Sequence, residues 1–134
     1  MCSSDLRSHL RSRVNFATPR GPQPGRIDTD SWGPGYGVAR FSGIIDALFV
    51  AGTTPIDFEQ TLSIKAYKVK VTGDTPDAKA KAMKLGEALV RDLRKQMAED
   101  NVIFDNKVHL RSPALIDADG PIMKFRRWAA QFYA

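Results

Sequence analysis

The stretch GDTPDAKAKAMKLGEALVRDLRKQM, residues 73–97, decides how the rest of the chain is read. Thr75 can cap a helix, and Pro76 suits the first helical position because its missing N–H has no partner there anyway. Asp77 complements the positive end of the helix dipole. Behind this start, Ala78, Ala82, Leu85, Leu89, Leu93 and Met97 recur at spacings of four, three, four, four and four, which lays them on one stripe. Val90 and Gly86 widen the stripe, and Gly86 lets a sheet approach closely. Lys79, Lys84, Glu87, Arg91, Arg94 and Lys95 fall mostly on the other side, with Glu87 and Arg91 forming an i,i+4 pair worth about 0.3–0.5 kcal/mol. The helix is expected to end near Asp100-Asn101.

A one-stripe helix needs an apolar surface to cover, and the flanking segments read as strands. Val38 to Val50 is rich in β-branched and aromatic residues, and Gly52-Thr53-Thr54-Pro55 supplies turn chemistry. From Ile56, the residues Ile56, Phe58, Leu62, Ile64 and Ala66 share one parity, against Asp57, Glu59, Thr61, Ser63 and Lys65. That is the period of a strand with one wet face. Beyond Ala66 the apolar parity flips to Tyr67, Val69 and Val71, so a bulge or a change of packing partner is expected there. Downstream, Lys107 to Ile116 is expected as a strand interrupted by Pro113, followed by a turn at 117–121. Ile122 to Tyr133 is expected as the last strand, with a second bulge at Arg126-Arg127 where its parity flips. The expected fold is therefore α+β: a mainly antiparallel β-β-α-β-β sheet with one long helix packed on it.

The segment before Val38 looks different. Pro19, Pro22, Pro24 and Pro34 are half of the prolines, and Gly21, Gly25, Gly33, Gly35 and Gly37 half of the glycines. Lost backbone donors and a high ordering entropy argue against regular structure, so residues 1–37 are expected to be an irregular basic arm and 38–134 a single domain. Arg7 to Phe16, with Leu10 and Val14 four apart, reads at most as the stub of a helix. Met1-Cys2-Ser3-Ser4-Asp5-Leu6 back-translates to a run that matches the end of a common sequencing adapter. We read it as translated adapter with the natural start lost, which removes Cys2 from any metal or redox argument.

The 134 residues are 43% hydrophobic and 26% charged, which suits one compact domain and excludes a wholly disordered chain. The longest apolar-rich stretch, Phe41 to Gly52, is broken by Ser42, Gly43 and Asp46 and falls far short of the ~20 residues of a membrane span. No secretory signal opens the chain, and one cysteine permits neither an internal disulfide nor a Cys-based zinc site. An intracellular or virion-type environment is expected. The net charge of +5 is uneven, because residues 1–40 hold six Arg against three Asp while the remainder is close to neutral. A dedicated nucleic-acid domain concentrates its charge on the folded part, so this placement favours a mildly basic arm.

A search for catalytic patterns returns nothing. His9 and His109 have no partner at metal-ligand spacing, and no nucleophile-elbow motif is present. Gly33-Pro34-Gly35-Tyr36-Gly37 lacks the spacing and the flanking elements of a phosphate loop. Asp57, Glu59, Lys65 and Lys68 do not form the compact acidic-x-Lys element of a nuclease. Asp117 and Asp119 sit in a turn, with too few oxygen ligands for calcium. Arg126, Arg127 and Trp128 could bind phosphate and stack a base, and they are the only candidate nucleic-acid residues. No catalytic, metal or cofactor-binding residue is assigned, no cofactor is expected, and the chain does not read as an enzyme.

Thr61-Leu62-Ser63-Ile64-Lys65-Ala66-Tyr67, the helix from Asp77 through Leu85, Leu89 and Leu93, and Val108-His109-Leu110 with Phe125 to Tyr133 together resemble the tail-terminator or tail-completion proteins of long-tailed bacteriophages. The resemblance covers about 75 residues from Phe58 and carries no catalytic signature; the family's N-terminal helix has no counterpart in this chain. It implies a structural virion protein, assembled in the host cytoplasm, that caps the tail tube as a ring, usually a hexamer, and meets the head–tail connector. Its partners would be copies of itself, the tube protein and the connector, with no membrane and with nucleic acid disfavoured. Two alternatives stand beside it: a basic nucleic-acid-binding domain using the basic arm with Arg126, Arg127 and Trp128, and another head–tail joining (neck) protein.

Overall fold

The computed structural model describes residues 6–133; Cys2 and the rest of residues 1–5 lie outside them. Five strands come first: β1 (Arg7–Phe16), β2 (Gln23–Trp32), β3 (Tyr36–Ser42), β4 (Ala47–Pro55) and β5 (Thr61–Val69). The long helix α1 (Pro76–Phe104) follows, then a single helical turn at Asp117–Asp119, the short helix α2 (Ile122–Ala129) and a closing turn at Ala130–Phe132. The strands form one antiparallel sheet in the order β1-β2-β3-β4-β5. The α+β class, the antiparallel sheet and the long helix are as expected, while several individual elements differ.

The largest difference lies in the segment read as an irregular arm. Arg7–Phe16 is a strand rather than a helical stub, and β2 and the start of β3 also fall before Val38. The prolines do not oppose this. Pro19, Pro22 and Pro34 lie between strands, and Pro24 is the second residue of β2, where a missing donor is tolerated. Gly33, at φ +66°, turns the chain between β2 and β3. Gly25 faces Val14, and a Cβ there would stand 2.3 Å from Phe16 Cε2 and 2.7 Å from the Ser42 carbonyl oxygen. These residues mark turns and a close approach between strands.

Strand pairing sorts the side chains into two faces. Ser8, Leu10, Ser12, Val14 and Phe16 share a face with Ile27, Phe41, Phe49, Tyr67 and Val69. Phe41 bridges Phe16 and Tyr67 at ring separations of 6.5 and 6.4 Å, and Phe49 meets Tyr67 at 5.1 Å. The opposite face carries Arg7, His9, Arg11, Asp30, Val38, Arg40, Val50, Leu62, Ile64 and Ala66.

α1 covers the aromatic face at its β5 end. Its start is as read: the Thr75 hydroxyl accepts from the Ala78 N–H at 3.1 Å. Ala78, Ala82, Gly86, Leu89, Leu93, Met97 and Asp100 form its half-buried stripe, while Leu85 and Val90 are exposed. Gly86 lies close to the strand, a Cβ there reaching within 3.7 Å of Val69 Cγ2. The helix runs past Asp100-Asn101 to Phe104 and is closed by Asp105. The register of β4 with β5 is continuous from Ala47↔Val69 to Pro55↔Thr61, so the parity flip at Ala66–Tyr67 is not a bulge. It marks a change of packing partner, because Tyr67 and Val69 lie under the aromatic face while Leu62 and Ile64 remain exposed. Gly52-Thr53-Thr54-Pro55 lies within β4 rather than in a turn; the breaks between strands fall at 43–46 and 56–60, so the strand expected from Ile56 begins at Thr61.

The expected closing strands are absent among the described residues. Lys107–Ile116 has no regular structure, and Ile122–Ala129 is helical. Ile122, Phe125, Trp128 and Phe132 recur every three or four residues, so the flip at Arg126-Arg127 is helical periodicity and not a bulge. No helix among the described residues is long and apolar enough to cross a membrane.

The two strand glycines give a paired test. Gly25→Ala should lose about 1–3 kcal/mol in urea unfolding, because the new methyl meets the Ser42 carbonyl. Gly52→Ala, with nothing within 4 Å, should be neutral or gain about 0.5–1 kcal/mol. Equal effects at both positions would contradict the register of β1 with β2 and of β3 with β4.

Candidate functional site

β1, β2 and β3 bring five charged or titratable side chains to one point. Asp30, in the middle of β2, is 1% exposed and is the only fully buried side chain among the described residues. The register places His9 directly opposite it, with Arg7 and Arg11 two residues away on either side along β1. Arg11 Nη2 donates to Asp30 Oδ1 at 2.7 Å, His9 Nδ1 donates to the same oxygen at 2.5 Å, and Arg7 Nη2 lies 3.2 Å from Oδ2. Arg40, from β3, also donates to Oδ2. Arg7 in turn stacks over Trp32, with its Cζ 4.7 Å from the ring centroid.

Burial pushes the Asp30 carboxyl toward higher pKa. The hydrogen bonds from His9, Arg11, Arg40 and Arg7 outweigh it and hold the group well below the usual carboxylate range. The alternation Arg7-x-His9-x-Arg11 facing Asp28-x-Asp30 was the signal present in the sequence; it is a strand pattern built from charges rather than apolar residues.

Beside this cluster, along the free edge of β1, lies a cavity of about 600 Å³. Arg7, Ser8, His9 and Leu10 form its strand side, and Pro121, Ile122, Lys124, Phe125 and Trp128 its helical side, with Asp119 at the rim. α2 thus stands across the cavity from this edge. Its C-terminal end is anchored at the β2–β3 turn, where Phe132 lies against Gly33.

The three candidate residues from the sequence are adjacent on α2 and differ in their surroundings. Trp128 lines the cavity and packs against Phe125 and Phe132 at ring separations of 5.2 and 5.3 Å. Arg126 donates through Nη1 to the Leu110 carbonyl at 2.6 Å, fastening the irregular 107–116 segment to the helix. Arg127 is exposed. The arrangement is a helix docked by its apolar residues, with Arg126 serving as a tether. His109, expected on a strand, is exposed in an irregular segment.

The Asp30 cluster predicts how stability responds to acid. A carboxyl with a depressed folded pKa contributes stability that is complete above the ordinary Asp value, near ~4, and is lost as pH falls from there toward the folded value. Asp30→Asn should cost about 2 kcal/mol at pH 7 and flatten the acid limb of a plot of thermal midpoint against pH below ~4. An unchanged acid limb in the variant would contradict the assignment.

The family model of the 3-ketosteroid 9α-hydroxylase C-terminal domain matches residues 7–133, taking in all five strands and both helices. A probable 3-ketosteroid-9-alpha-monooxygenase oxygenase component of Rhodococcus rhodochrous is 27% identical over 148 residues, covering 93% of this chain and 35% of the relative. A second oxygenase component from that organism is 42% identical over 41 residues, covering 31% of this chain and 11% of the relative. Cholesterol 7-desaturase of Caenorhabditis elegans is 50% identical over 38 residues, covering 28% of this chain and 9% of the relative. The chain thus spans about a third of the Rhodococcus rhodochrous relative that it matches along most of its own length. No solved structure matches.

These matches overturn the resemblance to phage tail terminators. With it go the structural virion role, the hexameric ring with tube and connector partners, the neck-protein alternative and the location in a virion, since the relatives are cellular enzymes. The expectation that the chain is not part of an enzyme is corrected on the same grounds. The likeness had rested on one amphipathic helix beside alternating strands, a texture that many α+β folds share. By its match from β1 to the end of the closing turn, the chain belongs to the 3-ketosteroid 9α-hydroxylase C-terminal domain family.

Proposed function

We propose that this chain is part of the oxygenase component of a steroid monooxygenase. The observation that supports this reading is the family match across the whole described fold, including the first two strands. The relative aligned along most of the chain carries the same activity in its name, and the desaturase relative is named for a sterol substrate.

The contribution of this segment is a scaffold with apolar surfaces suited to a fused-ring substrate. Val102, Ile103 and Phe104 stand exposed at the end of α1, and Leu62 and Ile64 on β5. These are two separate sets, one at the helix end and one on the sheet face opposite the one that α1 covers, and exposed apolar side chains grouped in this way suit contact with a ligand or another protein surface.

Dioxygen chemistry is carried by a metal or an organic cofactor. Among the described residues no group of three or more His, Cys, Asp and Glu comes together. His9 is committed to Asp30, and His109 is exposed in an irregular segment. The residues present do not make a metal centre by themselves, and no oxygen-activating step is placed on them.

The test is turnover by the protein expressed from its source locus. Given a 3-ketosteroid, reducing equivalents and ¹⁸O₂, it should return a product heavier by one labelled oxygen atom, the other oxygen atom leaving as water. A product short of two hydrogens would align it with the desaturase instead, and no steroid product at all would contradict the reading.

A further inference from the structure

We infer that the cavity between β1 and α2 is a binding site for an amphipathic carboxylate, a molecule with an apolar body and one carboxylate head. This goes beyond the steroid reading, because a ketosteroid is neutral at the ketone whereas this cavity is built around positive charge.

The walls divide in two. Leu10, Pro121, Ile122, Phe125 and Trp128 form an apolar side. Arg7, His9 and Lys124 supply the polar side, with Asp119 as the one acid that lines the cavity. Asp119 is already engaged, since its Oδ2 accepts from the Ile116 N–H at 2.8 Å. Asp30, behind Arg7 and His9, is saturated by those two residues together with Arg11 and Arg40. Among the residues that line the cavity, the charges of Arg7 and Lys124 stand against Asp119 alone, so the surplus is positive.

Two further observations place the head group. Lys124 makes no ion pair among the described residues although it lines the cavity. Arg7 spends Nη2 on Asp30 and also lines the cavity, and a planar guanidinium matches a carboxylate. The cavity, at about 600 Å³, falls within the 300–1,000 Å³ range of small-molecule sites and has room for a chain or ring system behind the head.

The experiment compares probes that differ only in the head: laurate, dodecanol and dodecyltrimethylammonium, titrated into the full chain and followed by calorimetry. Laurate should bind about 10-fold or more tightly than dodecanol, and the cationic probe weakest, a preference that weakens as salt rises. Lys124→Gln, a surface change that leaves the Asp30 cluster intact, should weaken laurate about 5- to 10-fold and leave dodecanol unchanged. Equal affinity for laurate and dodecanol, no loss in Lys124→Gln, or no binding at all would overturn the proposal. So would a neutral 3-ketosteroid that displaces laurate at comparable concentration, which would make this cavity the steroid site. Steroid turnover is a separate measurement, so failure of laurate binding leaves the oxygenase reading standing, and the reverse also holds.

Discussion

One buried carboxylate organises the N-terminal half of this sheet. Asp30 is shielded by the very cations that it attracts: Arg7, His9 and Arg11 from β1 and Arg40 from β3. A single ionised group out of water is costly, and the cost is offset only when its lone pairs are filled by charged donors. In this sheet four donors from two neighbouring strands converge on the two oxygens. The arrangement holds β1, β2 and β3 in one register, because a slip by one residue sends every cation to the opposite face. Its partners remain about half exposed, so each arginine keeps part of its hydration, and burial falls chiefly on the acid.

The two faces of the sheet then follow different physics. The aromatic face packs the half-buried Phe16, Phe41, Phe49 and Tyr67 against one another and takes α1 at the β5 end, where Gly86 permits close contact with Val69. The other face is organised by charge at β1–β3 and is apolar and open at β5, through Leu62 and Ile64. α2 faces the β1 edge across the cavity, and Arg126 ties the irregular segment to it. Many large apolar side chains stay exposed, among them Phe58, Ile103, Phe104 and Val108.

What the sequence revealed tracks how local each signal is. The cap at Thr75, the proline after it and the stripe through Leu89, Leu93 and Met97 depend on neighbours within a turn or two, and all took the expected form. β5 was legible for the same reason. β1 and β2 were not, because their strand character is written in charges: Arg7, His9 and Arg11 acquire meaning only opposite Asp30, some twenty residues away. Counting prolines and glycines gave weight to the turns and hid the strands between them. At the other end, Ile122, Phe125, Trp128 and Phe132 are β-favouring types at helical spacing, and spacing prevailed over residue type. The cavity was invisible for the same reason as Asp30, since it joins residues 7–10 to residues 119–128. No local catalytic motif marks the enzymatic family in this sequence, and the described residues bring no metal-ligand group together.

Native-state hydrogen exchange, read residue by residue, tests most directly whether residues 7–32 are an integral part of this family fold. The β1 amides that face β2, and those on both sides of β2, should be protected to within about tenfold of the β3–β4 amides and open in the same cooperative unit. Exchange of residues 7–32 at the rate of an unstructured chain, with residues 36–55 still protected, would contradict the account.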